Sequence, residues 1–474
     1  MRRVLYLAML FTMACTQPYY PSVDNPVMGG GTAKDQDIIA YIDQRLENEY
    51  YWLDEVVEKS SYFNRNIKWD SYLDNALGYL TTNDDDGYVN SKGQRVFYSY
   101  IRDISASTRA TATSGFGIGL HYTIAIIDAD NGYYGFAVEE VYPSSPAANM
   151  GVKRGDVITM IGGSYINADN YYHYFLSIEN NSAAELKLKL RRQTNGESYD
   201  VVLQKGQYNM TPVLHHQLIE VEQKKIGYLV YTSFDSDYNQ DMLDAIAELK
   251  AAGAEEFILD LRSNSGGAVN SAVKLCSALV PERLNGGVLC SVVRNKKNTK
   301  MDTTSNFCLE NAGEIFSLER LTVICSDYSA SASELVVMGL RGLDFPVMLI
   351  GSQTEGKNCG MDVTRRTIGS TTLEFAPITF MCFNAKGFGD WGEGIVPDID
   401  LTDDANEMGV SDRNYPLPRA DWGDYNHDIA LAAAVAKITG KNVSMSSTRS
   451  SSAELTKSDI SMPCEVEGIR NYMD

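Results

Sequence analysis

Apolar positions follow a helical period in the first part of the chain. From Asp35 onward they recur every three or four residues, which predicts an amphipathic helix with Asp35 as its N-cap. A second helix is predicted over 69–80, so residues 35–109 are expected to form a small N-terminal helical region. The expected buried face of the first helix comprises Ile38, Ile39, Ile42, Leu46 and Tyr50.

The pattern changes to short strand-like segments between residues 110 and 207. Gly115 opens a strand, and Asn131-Gly132 is typical of a hairpin turn between two strands. This stretch is therefore predicted to be a separate, mainly-β module.

Apolar runs alternate with helical segments from Ile226 onward. Repeated strand–helix units whose strands are largely apolar predict an α/β layer structure. Segments near 369–383 are predicted to close this structure, and 428–438 is predicted to be a final helix. The other predicted strands are 226–234, 257–262, 321–325 and 347–350, and the other predicted helices are 239–251, 269–279 and 335–340.

A serine-rich turn follows the strand at 321–325 and has the sequence Tyr328-Ser-Ala-Ser-Ala-Ser-Glu334. A serine here stands beside the unpaired N–H groups of a new helix, which would stabilise an oxyanion formed nearby. Ser331 is therefore a candidate nucleophile. Ser331 and Glu334 also fit the S-x-x-E capping box, and the turn taken alone favours a plain helix cap.

Two further motifs reverse that preference. The strand that ends at Arg262 leads into Ser263-Asn-Ser-Gly-Gly267, and the strand that ends at Ile350 leads into Gly351-Ser-Gln-Thr-Glu-Gly-Lys357. In this order, D-L-R-x-N-x-G-G, S-A-S-A-S-E and G-x-x-T-x-G-K resemble the C-terminal processing (tail-specific) serine peptidases, which use a Ser-Lys dyad.

The resemblance implies an α/β peptidase domain with a crotonase-like spiral. In that family the nucleophile and the general base correspond to Ser331 and Lys357. Backbone N–H groups of Ala332 and of Gly266 or Gly267 would form the oxyanion hole, since glycine lets a loop approach the substrate at positive φ.

A lysine must lose its proton to act as a base, and its ordinary pKa is about 10.4. Burial away from carboxylates lowers that pKa, so we expect an apolar pocket around Lys357, with Glu355 pointing elsewhere. The chain departs from the family at Met361, where relatives often have a glutamine thought to orient the lysine. This leaves the third member of the site open. The five histidines suggest no Ser-His-Asp alternative in the sequence.

The segment from Ser145 to Ile158, S-P-A-A-N-M-G-V-K-R-G-D-V-I, closely resembles a PDZ domain. The resemblance implies that a peptide adds as a strand to the sheet edge. A G-x-G-x-G pattern with no helix behind it is poor support for a nucleotide loop, so that interpretation is set aside. The residues expected to offer N–H groups to the terminal carboxylate of the peptide are Gly115, Phe116, Gly117, Ile118 and Gly119.

The charge and residue composition of the chain limit the classes of partner that it could bind. A net charge of -21 and a pI near 4.7 argue against charge-driven binding to nucleic acids or anionic membranes. No cofactor or metal is predicted: the run from Asn83 to Gly87 has its glycine misplaced for a calcium-binding EF-hand loop. The scattered cysteines contain no C-x-x-C pair and do not form a disulfide framework.

The first residues resemble a targeting segment. Arg2 and Arg3 precede an apolar run that is too short to span a membrane, and Ala14-Cys15 follows it. This predicts a bacterial lipoprotein that is acylated on Cys15 and anchored in the cell envelope, either periplasmic or in the outer membrane. An ordinary secretory signal, with Cys15 incidental, is the alternative.

The predicted function is a serine endopeptidase that recognises the tails of unfolded or C-terminally tagged exported proteins through its PDZ domain. The alternatives are a catalytically weak relative that only binds peptides and a lipoprotein scaffold. The predicted divisions are a signal peptide (1–14), a flexible tether (15–34), the helical region (35–109), the PDZ domain (110–207), the catalytic domain (208–401) and an extension with one helix (402–474).

Overall fold

The structure is a computed structural model. It describes residues 32–90, 93–105, 114–128, 130–179, 185–192, 195–297, 304–402 and 420–441. Cys15 and the predicted signal peptide lie outside these ranges, as does most of the predicted tether. Within the described ranges, no helix combines the length and apolar character needed to cross a bilayer.

The N-terminal region is helical, as predicted, and the five residues of its expected buried face are at most 1% exposed. The N-cap is Thr32 and not Asp35. Thr32 N donates to Asp35 Oδ2 (2.6 Å) and Asp35 N donates to Thr32 Oγ1 (3.2 Å), so the aspartate closes a capping box one turn further in. The elements are α1 (Ala33–Glu49), α2 (Leu53–Lys59), α3 (Tyr72–Leu77), two 3₁₀ turns (Ser60–Tyr62, Trp69–Ser71), β1 (Tyr88–Val89), β2 (Arg95–Val96) and β3 (Tyr100–Asp103).

The second module contains a six-stranded sheet. Its strand order, β10-β9-β7-β8-β6-β5, leaves β5 at an edge. The ring of Tyr122 on β5 contacts Phe175 on α5, so this edge strand and this helix pack together. The elements are β4 (Ser114–Gly117), β5 (Leu120–Asp128), β6 (Tyr133–Val141), α4 (Pro146–Asn149), β7 (Val157–Ile161), β8 (Ser164–Asn167), α5 (Tyr171–Glu179), β9 (Glu185–Arg191), β10 (Ser198–Gln204) and β11 (Gly206–Asn209).

The third module has the predicted strand–helix order. The predicted helices 239–251 and 269–279 are confirmed residue for residue. Its elements are β12 (Val213–Val221), β13 (Lys224–Tyr231), α6 (Asn239–Ala251), β14 (Glu256–Asp260), α7 (Val269–Leu279), β15 (Val288–Arg294), β16 (Thr304–Cys308), β17 (Leu321–Cys325), α8 (Ala332–Gly342), β18 (Val347–Gly351), β19 (Cys359–Met361), β20 (Thr364–Ile368), β21 (Thr371–Ala376), β22 (Ile378–Phe383), β23 (Ile399–Asp400), α9 (Ile429–Thr439) and the 3₁₀ turns Ser236–Tyr238 and Glu282–Leu284.

The main sheet of this module has the order β12-β13-β14-β17-β18-β23 and is parallel from β13 onward. Alternate residues of each strand face opposite layers. Leu259 and Val323 belong to the core that contains residues of α6, α7 and α8, whereas Ile258 and Ile324 belong to the core that contains α9. Because the strands are parallel, the loops that follow β14, β17 and β18 leave from the same edge of the sheet.

The N-terminal region is joined to the third module. Strand β3 completes a three-stranded sheet with β20 and β21. Cys359 lies in the same apolar cluster as the buried residues of α1 and α3, and Met361 packs against that cluster. The two segments therefore share a core, although about 250 residues separate them in the sequence.

Candidate active site

Ser331 lies in the turn between β17 and α8, immediately before the first helical residue. Its backbone adopts φ +55° and ψ −112°, a region that costs roughly 1–3 kcal/mol for a residue with a side chain. A strained residue between a buried strand and a helix is typical of an exposed nucleophile, and a plain N-cap has an extended backbone instead. The backbone conformation therefore favours the nucleophile interpretation over the plain cap.

The neighbouring serines fasten the turn to the loop that follows β14. Ser329 Oγ donates to Leu261 O (2.8 Å) and Ser333 Oγ donates to Asn264 O (2.8 Å). Both side chains are buried. Their hydroxyl groups are thus engaged in holding the turn, which distinguishes them from Ser331.

The glycines after β14 lie against the nucleophile. Both have positive φ, +108° for Gly266 and +139° for Gly267. A Cβ on Gly266 would lie 2.7 Å from the Cβ of Ser331, so only glycine fits there. The loop and the turn are therefore in direct contact, as the oxyanion-hole prediction requires.

Two backbone N–H groups are available at this contact. Among the described residues, neither Gly267 nor Ala332 has a hydrogen-bond acceptor for its amide. The amide of Gly266 is already used, since it donates to Asn264 Oδ1 (2.8 Å). Of the two glycines that the sequence offered, Gly267 is the one whose amide is free, and its partner would be Ala332.

Asn264 is a residue that the sequence reasoning did not single out. It is fully buried, and its Nδ2 donates to Tyr231 O (2.9 Å) while its Oδ1 accepts from Gly266. Its carbonyl oxygen accepts from Ala330 N (3.2 Å). One side chain and its backbone thereby set the conformation of the glycine loop relative to the serine turn.

Glu334 is the second residue whose role the sequence reasoning missed. It is fully buried, and its carboxylate accepts from the backbone N–H of Ser331 and of Lys357, both at 2.8 Å and both to Oε2. Its Oε1 accepts from Gly356 N (2.8 Å) and Thr354 Oγ1 (2.6 Å). Burial raises the pKa of Glu334 to about 7, against these hydrogen bonds, which lower it.

This carboxylate brings the two predicted dyad residues together. The backbone nitrogens of Ser331 and Lys357 each lie 2.8 Å from the same oxygen, so no more than twice that distance separates them. The S-x-x-E pattern that suggested a cap thus contributes a buried acceptor that connects the serine turn with the lysine loop.

Lys357 lies in the loop between β18 and β19, and its side chain meets the N-terminal region. Its Nζ is 4.7 Å from the centroid of the Tyr98 ring. The charge of Lys357 also acts on Asp86, which is fully buried. Burial raises the pKa of Asp86 to about 6, although hydrogen bonds from Ser99 and Tyr50 and the positive charge of Lys357 lower it.

These surroundings differ from the predicted pocket. We expected an apolar pocket without carboxylates, and the structure places an aromatic ring and a buried carboxylate close to the lysine. The reason is that two residues of the N-terminal region, Asp86 and Tyr98, meet this loop in the fold, which no local pattern near Lys357 indicates. Met361 packs against the N-terminal apolar cluster, and the described contacts do not link it to Lys357.

A buried ion cluster supports the loop from behind. Arg262 pairs with Asp260 (2.7 Å) and with Asp428 (2.9 Å). The ring of Trp422 lies between Arg262 (5.4 Å) and Arg154 of the second module (3.9 Å). Residues 420–428 and the last described helix, α9, thus pack against the third module.

The five predicted peptide-binding residues lie where β4 meets β5. Gly115 and Gly117 pair with β11, which brings the ring of Tyr208 against Gly115. Phe116 is about half exposed, and Gly119 has a φ of +74°. The stretch therefore ends beside the free edge of β5, although it is a short paired strand and not an open loop.

The described histidines contact groups other than Ser331 and Lys357. Among the described residues, no group of three or more His, Cys, Asp or Glu side chains is placed to hold a metal ion. Four histidine rings contact other partners: His121 with Glu140, His215 with Gln217, His216 with Glu248 and His427 with Asp424.

Comparison with known families agrees with both modules. Residues 225–401 match the model of Peptidase family S41, and residues 137–192 match the model of the PDZ domain. The S41 match contains the serine turn, the glycine loop and the lysine loop.

Curated relatives cover different shares of the chain. A Staphylococcus aureus protein (strain bovine RF122 / ET3-1) that is named as a CtpA-like serine protease is 25% identical over 258 residues, which is 54% of this chain and 48% of the relative. The carboxy-terminal processing protease CtpA of Bacillus subtilis (strain 168) is 24% identical over 394 residues, 82% of this chain and 76% of that protein. The chain thus spans about half the length of the staphylococcal relatives it matches.

A solved structure has the same fold. The crystal structure of a protein from Bacteroides fragilis NCTC 9343, assigned to the S41 proteases, superimposes with a TM-score of 0.64 at 21% identity. It covers 89% of this chain and 98% of its own. The likeness therefore extends over the N-terminal region as well as the two larger modules.

Proposed function

We propose that this chain, which belongs to peptidase family S41 and carries a PDZ domain, is a serine endopeptidase with a Ser331–Lys357 dyad. The observation that carries the proposal is the single Glu334 carboxylate that binds the amides of both dyad residues, beside a glycine loop with a free N–H group. The names of the curated relatives support the same reaction class.

In this mechanism Ser331 Oγ attacks the carbonyl carbon of the scissile peptide bond and passes its proton to Lys357 Nζ. The negative oxygen of the tetrahedral intermediate accepts hydrogen bonds from the amides of Gly267 and Ala332. The lysine ammonium then protonates the departing amine. Water hydrolyses the acyl-enzyme in a second half-reaction, with Lys357 again as the base.

Cleavage of an unfolded protein tests the proposal. Ser331→Ala and Lys357→Ala should each reduce hydrolysis of unfolded casein to background, because the two residues act as one unit. Ser333→Ala is the matched control, since its hydroxyl binds a backbone carbonyl and its loss should lower stability by about 1 kcal/mol while most activity remains. Hydrolysis by Ser331→Ala at the wild-type rate would refute the dyad. Binding of casein without cleavage by the wild type would favour a peptide-binding relative.

We further propose that the PDZ domain recognises the free C-terminus of a polypeptide. The supporting features are the free edge of β5, the adjacent helix α5 and the positive-φ Gly119 at the end of the predicted loop. A peptide with an apolar tail should bind at least tenfold more tightly than its C-terminal amide. Equal affinities in a titration of the Ser331→Ala protein would rule out carboxylate recognition.

Lipid attachment through Cys15 and residence in the bacterial cell envelope remain proposals that rest on the sequence alone. Mass spectrometry of the mature N-terminus should find a diacylglyceryl cysteine, and Cys15→Ser should prevent its formation. A mature chain that keeps Cys15 with a free thiol would contradict the lipoprotein proposal.

A further inference from the structure

Tyr98 of the N-terminal region lies against the general base. The 4.7 Å separation between Lys357 Nζ and the centroid of its ring is within the range of a cation–π contact. Tyr98 comes just before β3, whereas Lys357 comes just before β19. The contact therefore links the N-terminal region to the loop that carries Lys357, and these are the two segments that share the core described above.

The position of the ring is fixed on several sides. Its hydroxyl group reaches Glu355 Oε1 (3.4 Å), and the backbone N–H of Glu355 donates to Ser329 O (3.0 Å) in the serine turn. The flanking Phe97 and Ser99 are both buried. Tyr98 is thus held in place by groups that do not depend on a bound substrate.

A buried carboxylate of the N-terminal region, Asp86, also interacts with the lysine. Asp86 accepts from Ser99 N (2.8 Å), Ser99 Oγ (2.7 Å) and Tyr50 OH (2.8 Å), and the charge of Lys357 acts on it. Its three hydrogen bonds orient it within the N-terminal region. The ionisable groups with which the lysine interacts here are Tyr98, Asp86 and the Cys359 thiol, while Glu334 holds its backbone.

We propose that Tyr98 is a positioning residue for Lys357, so that the N-terminal region contributes to the peptidase site. The inference rests on the proposed function, since it assigns the ring a part in the dyad reaction. Lys357 gains a positive charge as it takes the proton of Ser331, and a ring face attracts an ammonium more strongly than a neutral amine. The contact therefore strengthens towards the transition state, as a catalytic interaction must. Tyr98 would thus position the base of a chain that has methionine at 361.

Two substitutions separate the ring face from the rest of the side chain. Tyr98→Leu removes the ring and should lower kcat about tenfold with KM changed less than twofold. Tyr98→Phe keeps the ring and loses only the hydroxyl group, so its loss should not exceed threefold. Tyr62→Leu is the control, since Tyr62 is 64% exposed on the same region. Equal losses in Tyr98→Phe and Tyr98→Leu, or no loss in either, would overturn the proposal.

A second measurement reads the lysine directly and does not need activity. In the Ser331→Ala protein, trace acetylation of Lys357 at one fixed pH, followed by mass spectrometry, gives the reactivity of its amine. Loss of the ring uncovers one side of the amine, so Tyr98→Leu should change the acetylation rate of Lys357 by about threefold or more, whereas Tyr98→Phe should change it less than about twofold. An unchanged rate for Tyr98→Leu in an otherwise active enzyme overturns the role of Tyr98 alone. Wild-type hydrolysis by Ser331→Ala overturns the dyad and the proposal together.

Discussion

Replacing Glu334 with glutamine tests the connection between the serine turn and the lysine loop. The carboxylate accepts four hydrogen bonds, three of them from backbone N–H groups. Glutamine has almost the same shape, but its NH₂ group can only donate. The NH₂ group takes the place of either Oε1 or Oε2. In both cases at least one backbone N–H group that donated to the carboxylate in the wild type then faces another donor.

The magnitude follows from the number of donors left without an acceptor. An unsatisfied buried N–H group costs about 1–3 kcal/mol. If Oε2 is the oxygen replaced, two such groups are affected, at Ser331 and Lys357, so we expect Glu334→Gln to lower stability by about 2–6 kcal/mol. The positive φ of Ser331 also loses the bond that holds it. If that energy is lost from the transition state, kcat falls by about 30- to 25,000-fold.

The pH dependence gives a sharper test. The pKa of Glu334 is raised to about 7, so its ionised, fourfold-accepting form is lost as pH falls through about 7. If Glu334 must be ionised, log kcat of the wild type should fall below about pH 7 with a slope one unit steeper than that of Glu334→Gln.

Protonation of Glu334 does not destabilise the fold, so unfolding through Glu334 cannot cause the fall of kcat at low pH. A carboxyl whose pKa is raised above its ordinary value of 4.5 adds stability below pH 4.5, and this contribution is lost as pH rises through about 7. Urea unfolding and stopped-time hydrolysis assays, both measured at each pH, separate the pH dependence of stability from the pH dependence of catalysis. Wild-type kcat, stability and slope in Glu334→Gln would refute the reasoning.

Three further predictions concern other positions. Burial raises the pKa of Glu55, but hydrogen bonds from Thr81 and Thr82 lower it to about 2. The contribution of Glu55 to stability is therefore present above pH 4.5 and is lost as pH falls towards 2. Thermal melts of Glu55→Gln should differ from those of the wild type at pH 6 and converge with them at pH 2. Met361→Gln should change kcat less than twofold and lower stability by about 1 kcal/mol in urea melts, because the Met361 side chain packs against an apolar cluster. A large rise in kcat would show that the residue at 361 acts on the base. Gly266→Ala should abolish hydrolysis, since its Cβ would contact the nucleophile; retained activity would show that the loop can move away.

The sequence predicted that each of the three motif loops follows a strand of an α/β structure, at 257–262, 321–325 and 347–350. The structure pairs these strands in parallel, so the three loops leave from the same edge of the sheet. The capping error at Asp35 was local. Thr32 supplies an equally good hydroxyl cap one turn earlier, and the apolar period alone does not fix where a helix begins.

The roles of the supporting residues could not be predicted in the same way. The Glu334 pattern is identical to that of an ordinary cap, and its bond to Lys357 spans 23 residues of sequence. The ring of Tyr98 reaches Glu355 across 257 residues. Such contacts depend on how whole modules pack, and periodicity and motif spacing describe only the segment in which they occur.

Contacts between distant parts of the chain also determine when the support of the proposed dyad can be complete. The backbone N–H of Ile378 donates to Ser99 Oγ, and Arg262 pairs with Asp428 from the segment before the last described helix. During synthesis, a ribosome releases the serine and the lysine well before it releases Asp428. The nascent chain would therefore contain both dyad residues while it still lacks part of their support. The proposed dyad would then gain its full support only when the segment around Asp428 folds against Arg262.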